Sequence, residues 1–276
     1  MKRKTKVILI IVICAVIAGA MLFTAGFVSG WETDSRGPSH NTNFNNELNP
    51  LGQYSVPASG INSIEIEWVG GKVSVESYDG SEILLEESSS EKIDENNYLG
   101  FKVSEGTLEI IHHNNFLDVD LPRECNNHDK NLTIKIPQTL ASGLNEFDFE
   151  SKDADLDITD VTASSFSAET RNGSVTASDV NFHEIEMDTK NGNLNVTNLI
   201  TPSEIEISSE KGNAELILPS DSQFTATMES ASGTITSDFP GTCSYNYCTV
   251  GNGTNSYEMA SRSGSLHFIP HDKAVQ

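Results

Sequence analysis

Residues 185–196 read I-E-M-D-T-K-N-G-N-L-N-V, and this stretch decides the fold because similar copies recur along the second half of the chain. The copies are about twenty residues apart and begin at Phe147, Phe166, Ile185, Ile205 and Phe224. In each copy, apolar residues alternate with polar ones on both sides of a polar segment that usually contains Gly. Alternation of this kind is typical of a strand with one buried and one solvated face. Each copy is therefore predicted to be two strands joined by a corner.

Two architectures fit this repeat. Asn172-Gly173 and Asn191-Gly192 are strong hairpin signals, so an antiparallel meander is one alternative. A β-solenoid, in which each copy is one coil stacked on the next, explains the constant period better. Each copy buries about four side chains worth roughly 1.5–3 kcal/mol apiece, while ordering costs about 1.5 kcal/mol per residue, so one copy cannot stand alone. We therefore predict an all-β fold, a β-solenoid of ~20-residue two-strand repeats.

The corners carry glycine at nearly constant intervals, at Gly173, Gly192, Gly212 and Gly233. Glycine is expected there because a sharp corner requires positive φ, which other residues resist. Looser copies run from Ile64 to Val75 and from Tyr257 to Phe268. Terminal copies are expected to be atypical because they cap the open strand edges.

The amino-terminal segment differs from the rest of the chain. Val7 to Val28 contains no charged residue and no proline, and a helix of this length spans about 33 Å, enough for the core of a bilayer. A cleaved signal has a shorter apolar region, which favours an uncleaved anchor, although cleavage near Ser29 is the alternative. Basic residues occur before the anchor and should stay inside the cell, which places the acidic remainder outside.

The predicted organisation has five parts. They are a cytoplasmic basic tail at 1–6, a transmembrane anchor at 7–29, a flexible spacer at 30–60, an extracellular β-solenoid domain at 61–270 and a tail at 271–276. The spacer is rich in Asn, Ser, Gly and Pro and has few aliphatic residues, a composition that cannot form a core. The expected localisation is the cell membrane, with a single pass and the amino terminus inside.

The net charge argues against one class of partner. The sequence has 40 Asp and Glu against 17 Lys and Arg, for a formal charge of −23. Such a surface repels phosphate groups, so a nucleic-acid partner is excluded.

The cysteines indicate one local disulfide. Cys243 and Cys248 flank a four-residue loop that a bridge could close, and an extracellular setting permits disulfides. Such a bridge would contribute about 2 kcal/mol by the loop-entropy estimate. Cys125 is then left over, and it is either free or paired with one of the others, because spacing alone does not fix connectivity.

Three alternating carboxylates suggest a weak calcium face. Asp153, Asp155 and Asp157 would point to one side of a strand and could attract calcium, or could simply keep the coil soluble. The EF-hand loop is excluded because Ile158 occupies the position where that loop needs Gly. His112 and His113 are adjacent on a predicted strand and would point to opposite faces, and the other histidines are scattered, which makes zinc improbable. We expect no cofactor.

The layout is similar to the putative adhesin family, strand-repeat domains of unknown function on bacterial and archaeal cell surfaces. The resemblance covers about residues 61–270 and rests on I-N-S-I-E-I-E-W-V-G-G-K-V-S-V-E-S-Y-D-G at 61–80, G-T-L-E-I-I at 106–111, L-T-I-K-I-P at 132–137 and the copies with glycine corners. It implies a β-solenoid fold and a cell-envelope setting, and it brings no catalytic residues. The segment 240–253 and the loop around Cys125 depart from the family pattern.

An enzyme is a further alternative. The sequence contains no G-x-S-x-G elbow, P-loop or H-E-x-x-H motif. Parallel β-helices can host polysaccharide-cleaving sites, and Arg171, Lys190 and Lys211 recur before corners, where they could line up along one edge. The same row could simply balance neighbouring acids and discourage edge-to-edge pairing. We therefore expect no catalytic residues.

These observations lead to one main functional hypothesis. The chain is expected to be a membrane-anchored cell-surface protein whose non-catalytic β-solenoid ectodomain binds or adheres to a cell-wall glycan or another surface protein. An envelope-sensing or regulatory subunit is the first alternative, and it needs a membrane partner because only residues 1–6 would lie inside the cell. A polysaccharide-acting β-helix enzyme is the second alternative.

Overall fold

The computed structural model describes residues 49–112, 130–244 and 246–272, which form an all-β domain, as predicted. Its strands are β1 (Asn49–Pro57), β2 (Ser63–Tyr78), β3 (Glu82–Ser89), β4 (Gly100–Ser104), β5 (Thr107–Ile111), β6 (Lys130–Pro137), β7 (Leu144–Thr159), β8 (Thr162–Thr170), β9 (Val175–Thr189), β10 (Leu194–Asn198), β11 (Glu204–Ser209), β12 (Ala214–Pro219), β13 (Phe224–Ser230), β14 (Ile235–Ser237), β15 (Gly241–Ser244), β16 (Tyr247–Val250), β17 (Asn255–Ser261) and β18 (Leu266–His271). One short helix, α1 (Gln138–Ala141), follows β6, and a 3₁₀ turn (Glu95–Asn97) precedes β4.

The strands form two layers that share one hydrophobic core. Layer A contains, in spatial order, β4, β5, the start of β2, the start of β7, β8, the end of β9, β11, β17, β13, β16 and β15. Layer B contains β1, β3, β6, the end of β2, the end of β7, the start of β9, β10, β12, β18 and β14. The chain passes from one layer to the other at each corner. A coil is thus one strand of each layer.

Neighbouring coils are parallel and in register. Phe147 pairs with Phe166, which pairs with Ile185, which in turn pairs with Ile205. The meander alternative would make these pairs antiparallel, so the structure agrees with stacked coils. Because equivalent residues of successive copies lie directly over one another, each sequence position becomes a column that runs along the stack.

Aromatic side chains stack in the core, where Phe147 and Phe166 share a column and Phe182 lies in the neighbouring column of Ala163. The rings of Phe147 and Phe166 lie 6.0 Å apart between centroids, and those of Phe166 and Phe182 lie 4.4 Å apart and nearly parallel. All three side chains are fully buried. Burying each contributes about 1.5–3 kcal/mol, and the offset stacking adds to that.

The corners need glycine for space rather than for positive φ. A Cβ at Gly192 would lie 1.8 Å from the carbonyl oxygen of Gly173, and a Cβ at Gly212 would lie 1.8 Å from that of Gly192. Gly212 has φ +156°, while Gly173, Gly192 and Gly233 are not among the positive-φ glycines. The expected reason for glycine is therefore wrong at these three corners. Close approach of one backbone to the next coil excludes a side chain there.

The corners at Gly173 and Gly192 are also closed by a hydroxyl. The backbone N–H of Gly173 donates to Oγ1 of Thr170 over 3.0 Å, and that of Gly192 donates to Oγ1 of Thr189 over 3.0 Å. The hydroxyl thus satisfies a backbone group that the change of direction removes from the ladder. This pairing explains why Asn-Gly at 172–173 and 191–192 forms a corner between layers and not a hairpin.

The coils do not follow sequence order at either end of the stack. β17 pairs in parallel with β11 on one edge and with β13 on the other, and β18 pairs likewise with β12 and β14. The copy around Tyr257 is therefore an interior coil. At the amino-terminal end, β5 and β6 lie outside β2, which pairs with β7 on its other edge. The β15–β16 hairpin caps β13 in layer A.

The domain begins earlier than the sequence indicated. β1 (Asn49–Pro57) lies within the 30–60 segment that was expected to be a spacer, and it pairs antiparallel with β3. Val56 is buried, and the Tyr54 ring packs edge-on against Phe101 with centroids 5.4 Å apart. Two apolar side chains at alternate positions are enough for an edge strand, which a composition argument overlooks.

The predicted anchor at 7–29 and the unassigned Cys125 lie outside the described residues. Among the residues that the structure does describe, no helix has the length and apolar character needed to cross a membrane.

The corner geometry gives the first prediction. Gly192→Ala should lower the free energy of unfolding by about 1–3 kcal/mol, because the new methyl group would overlap the Gly173 carbonyl. Gly143→Ala is the matched control, since a Cβ there has no atom within 4 Å, and its effect should stay within about 0.5 kcal/mol. Urea unfolding of the two purified variants measures the difference. Equal stability of the two would show that the corner has room for a side chain.

Candidate functional site

The outer face of layer A carries stacked carboxylates. We call this surface the acidic face. Its first column contains, in spatial order, Glu109, Glu65, Asp148, Ser167, Glu186, Glu206 and Glu258. Its second column contains Glu67, Glu150, Glu169, Asp188, Ser208, Ala260 and Glu229. Since adjacent strands are about 4.8 Å apart, like charges repeat at that spacing.

Partial burial, together with repulsion between neighbours, raises the pKa of several carboxyl groups on the acidic face. Partial burial, followed by repulsion from Glu109, raises the pKa of Glu65 to about 7. Burial and the neighbouring Glu146 raise the pKa of Asp148 to about 6. Partial burial, which removes hydrating water, is also the main cause that raises the pKa of five other carboxyl groups. These are Glu67, Glu150, Glu169, Asp188 and Glu206. The face therefore holds protons that isolated carboxyl groups would release.

Cations border the acidic face at the corner. Backbone hydrogen bonds between successive corners place Lys152, Arg171, Lys190, Glu210 and Arg262 in one column. The row of three cations that the sequence predicted along one edge is thus formed in part. Arg171 and Lys190 share this column, whereas Lys211 falls one position later, beside Asn191.

A groove opens where the acidic face meets the corner, near the carboxyl-terminal end of the stack. We call it the corner groove, and its volume is about 840 Å³. Its floor includes Ser208 and Ala260, the two small residues that interrupt the second carboxylate column. The remaining lining residues are Asp188, Thr189, Lys190, Ser209, Glu210, Met228, Glu229, Ser230, Ala231, Asn246, Ser261 and Arg262. Small side chains between large ones thus indent an otherwise flat face.

The groove presents both signs of charge. The Glu210 carboxylate lies 2.8 Å from Nη1 of Arg262 and 3.6 Å from Nζ of Lys190. Both cations keep much of their side chain in solvent. Exposed ion pairs of this kind contribute at most about 1 kcal/mol, so they remain available to exchange partners with a ligand.

Sequence reasoning missed the groove for a topological reason. Its walls come from β9, β11, β17 and β13, and β17 is the latest of these in sequence although it lies third in space. The small residues Ser208 and Ala260 were visible in the sequence. Their adjacency was not, because it depends on the coil order.

The three predicted calcium ligands do not converge. Asp153 accepts a hydrogen bond from Nδ2 of Asn172, and Asp155 accepts the backbone N–H of Ser174 over 2.8 Å. Asp157 lies on the outer side of layer B and pairs with Nζ of Lys72 at 2.5 Å. Within residues 49–112, 130–244 and 246–272, no group of three or more His, Cys, Asp or Glu is arranged to hold a metal ion.

A disulfide joins Cys243 and Cys248 and links β15 to β16. Cys248 is buried, whereas Cys243 is exposed. The carbonyl oxygen of Asn246, in the turn between them, accepts the backbone N–H of Met228 over 3.0 Å. Because Asn246 also lines the corner groove, the disulfide stabilises one wall of that groove.

A buried ion pair lies at the opposite end of the stack. Lys130 and Glu87 are each 1 % exposed, and Nζ of Lys130 lies 2.5 Å from Oε1 of Glu87. The same ammonium donates to the carbonyl oxygens of Asn97 and His112, and Glu87 accepts the backbone N–H of Leu99. Burial raises the pKa of Glu87 and lowers that of Lys130. No signal in the sequence separated these two from other charged residues.

The backbone of Lys130 also takes part in this network. Its carbonyl oxygen accepts Nε1–H of Trp68 over 2.9 Å, and the Trp68 ring packs edge-on against His112. The network joins β2, β3 and β6, so it fixes the first coils of the stack and is structural.

Comparison with known proteins identifies the family. The family model described as Toastrack DUF4097 matches residues 55–267, which is most of the chain. The chain belongs to the Toastrack family. No curated protein sequence matches it.

One solved structure shares the fold of this Toastrack domain, and two others are weaker matches. A protein of Clostridium sporogenes ATCC 15579, described as a putative cell adhesion protein, superposes with a TM-score of 0.51 at 14% identity, covering 81% of this chain and 100% of that one. A putative adhesin of Bacteroides fragilis NCTC 9343 gives 0.37 at 14% identity, covering 82% and 98%. A putative lipid binding protein of Parabacteroides distasonis ATCC 8503 gives 0.39 at 13% identity, covering 82% and 98%. At these identities, the first likeness shows the fold alone.

The buried pair of the Toastrack domain gives the second prediction. Lys130→Met should cost about 3–5 kcal/mol, because it leaves Glu87 buried without a partner. Adding Glu87→Leu should recover most of that loss, since the uncompensated group is removed with it. Lys135→Met on the same strand is the control, because Lys135 makes only a half-exposed contact with Glu76 at 3.9 Å. Strictly additive losses in the double variant, measured by urea unfolding, would contradict a coupled pair.

The acidic face gives the third prediction, on pH. Glu65 and Asp148 have higher pKa values folded than unfolded, so the folded chain binds more protons. Their contribution to the free energy of unfolding is complete below about pH 4 and is lost as pH rises to about 7. After allowance for solvent screening we expect a loss on the order of 1 kcal/mol, or a Tm lower by about 2–4 °C at pH 8 than at pH 5. The Glu65→Gln/Asp148→Asn variant should flatten this profile in calorimetry, and an unchanged slope would refute the assignment.

Proposed function

We propose that this Toastrack protein is a non-catalytic binding protein of the cell surface that recognises a polar ligand in the corner groove. The ligand is a cell-wall glycan or a polar surface of another protein. The observation that carries the proposal is the groove itself, because it is concave, polar and built on strands that are hydrogen-bonded on both edges.

The groove has the size and chemistry of a recognition site. Its volume of about 840 Å³ lies within the usual range for ligand sites, about 300–1,000 Å³. Carboxylates, an amide and two cations surround the small floor, and such groups can donate to and accept from sugar hydroxyls. With two cations against three carboxylates, the lining is closer to neutral than the acidic face beside it, which suits an uncharged polyol better than a polycation.

The position of the groove supports display away from a membrane. The chain enters the domain through β1, at the amino-terminal edge of layer B. The groove strand β17 lies five strand spacings from β2 in layer A, or about 24 Å along the stack. We propose that the apolar segment 7–29 anchors the protein in the membrane, so that the groove lies at the end farther from the anchor.

The fourth prediction tests the groove by filling it. Ser208→Trp should place an indole on the groove floor and weaken binding to an immobilised panel of cell-wall polysaccharides at least tenfold. Ser167→Trp is the matched control, because Ser167 is also a half-buried outward serine of layer A but lies outside the groove. The measurement is surface plasmon resonance with each purified variant.

Two outcomes would contradict the proposal. If both tryptophan variants bind the panel as the parent does, the groove is not the binding site. If the parent releases reducing ends from the panel, the protein is an enzyme and not a binding protein.

A further inference from the structure

The coil formed by β17 and β18 (residues 255–271), the last coil, occupies a slot between two earlier coils. In layer A, Tyr257 pairs with Ile205 on one side and with Ala226 on the other. In layer B, Phe268 pairs with Leu216 and with Ser237. Both edges of the last coil therefore pair with strands that precede it in sequence.

The connection into the slot crosses over a strand. β16 and β17 pair with opposite edges of β13, so the turn at 251–254 has to pass over the start of that strand. The turn rests on Gln223, whose carbonyl oxygen accepts Oγ1 of Thr254 and whose Oε1 accepts the N–H of Asn252.

The slot has to stay open, or to reopen, until the last coil arrives. If β13, β14 and the β15–β16 hairpin form before the last coil, the gap between β11 and β13 is two strand spacings, about 10 Å. Its edges then present unpaired N–H and C=O groups, which are a template for any added strand.

The slot is selective for one sequence. It needs buried apolar side chains at four positions, which Tyr257, Met259, Leu266 and Phe268 provide. It also needs glycine at position 264, because an added Cβ there would lie 1.7 Å from the carbonyl oxygen of Gly212. The hydroxyl of Tyr257 also donates to the carbonyl oxygen of Pro202 over 2.9 Å. A second copy of this chain carries a segment that meets all these conditions.

We propose that the last coil is exchanged between two copies of this chain, each filling the slot of the other. Exchange keeps every contact of the slot and changes only the turn at 251–254, which is why such swaps are a low-cost route to dimers. Tethering of both copies to one surface would raise their effective concentration and favour the exchange.

Exchange would make the corner groove composite. Ala260, Ser261 and Arg262 line the groove, so in the dimer the partner copy provides them. Ser208 and Glu210 come from the copy whose slot is filled. The ion pair between Glu210 and Arg262 becomes intermolecular. The exchange itself does not rest on the identity of the groove ligand, and it is measured without one.

The test uses two full-length chains, co-expressed with different affinity tags. One carries Ser208→Cys and the other carries Ala260→Cys. These residues are Cα partners on β11 and β17, and both side chains point outward. Exchange places the two new thiols side by side on different chains, so mild oxidation should give a covalent dimer that carries both tags.

Ser167→Cys in place of Ser208→Cys is the matched control. Ser167 is an outward serine of the same layer, but β8 lies three strand spacings, about 14 Å, from β17. We expect at least tenfold more dual-tag dimer from the Ser208→Cys mixture than from this control. Placing Ser208→Cys and Ala260→Cys in one chain should give a dimer held by two interchain disulfides, whereas a closed monomer would give an intrachain disulfide.

A shortened turn provides a second, independent variant. Deleting Asn252 and Gly253 leaves three Cα steps, about 11 Å, to cover a gap of about 10 Å while arching over β13. Local closure is then strained, so the dual-tag dimer should rise at least threefold.

Two results would overturn the exchange. One is an absence of dual-tag dimer from the chains with the full turn and also from those with the shortened turn, while the one-chain double variant forms an intrachain disulfide as a monomer. The other is an equal yield from the Ser167→Cys control. Neither result bears on ligand binding in the groove, which is read separately with the tryptophan variants.

Discussion

The structure depends on parallel main-chain stacking at the spacing of adjacent strands. Once a coil lies about 4.8 Å above the next, every sequence position becomes a column of like residues. Phe147 then lies on Phe166 within the core, and Gly192 lies against the carbonyl of Gly173 at the corner. The corner is the strictest part of this arrangement, because backbone meets backbone there and no side chain fits.

The same stacking determines the surface. Acidic residues on the outer positions of layer A become two columns of carboxylates, and partial burial followed by mutual repulsion raises the pKa values of Glu65 and Asp148. The core and the ladder hydrogen bonds offset that repulsion. Where the second column changes to Ser208 and Ala260, repulsion is relieved and the face is indented. The corner groove is therefore a consequence of substituting small residues into one column, and not of a separate loop or domain.

The ends of the stack are where this chain departs from a simple repeat. At each end a coil is placed out of sequence order, and antiparallel strands such as β4 and β15 cover the edge of layer A. The carboxyl-terminal inversion matters for function because it brings Arg262 next to Glu210 and so builds the rim of the groove. The amino-terminal inversion places the buried Lys130–Glu87 pair between β3 and β6, where it fixes the first coils.

The sequence by itself determined the local structure of this protein, because a period of two and a recurring polar corner with Gly are properties of adjacent residues. Strand alternation around Ile185, the corner at Gly192 and the local disulfide between Cys243 and Cys248 could all be predicted in this way. Tertiary structure alone decided which coil lies beside which, because similar copies can pair with one another in more than one order. It therefore decided the adjacency of Ser208 and Ala260, the partner of Lys130 and the strand β1 within the expected spacer, since each depends on contacts between residues far apart in the chain.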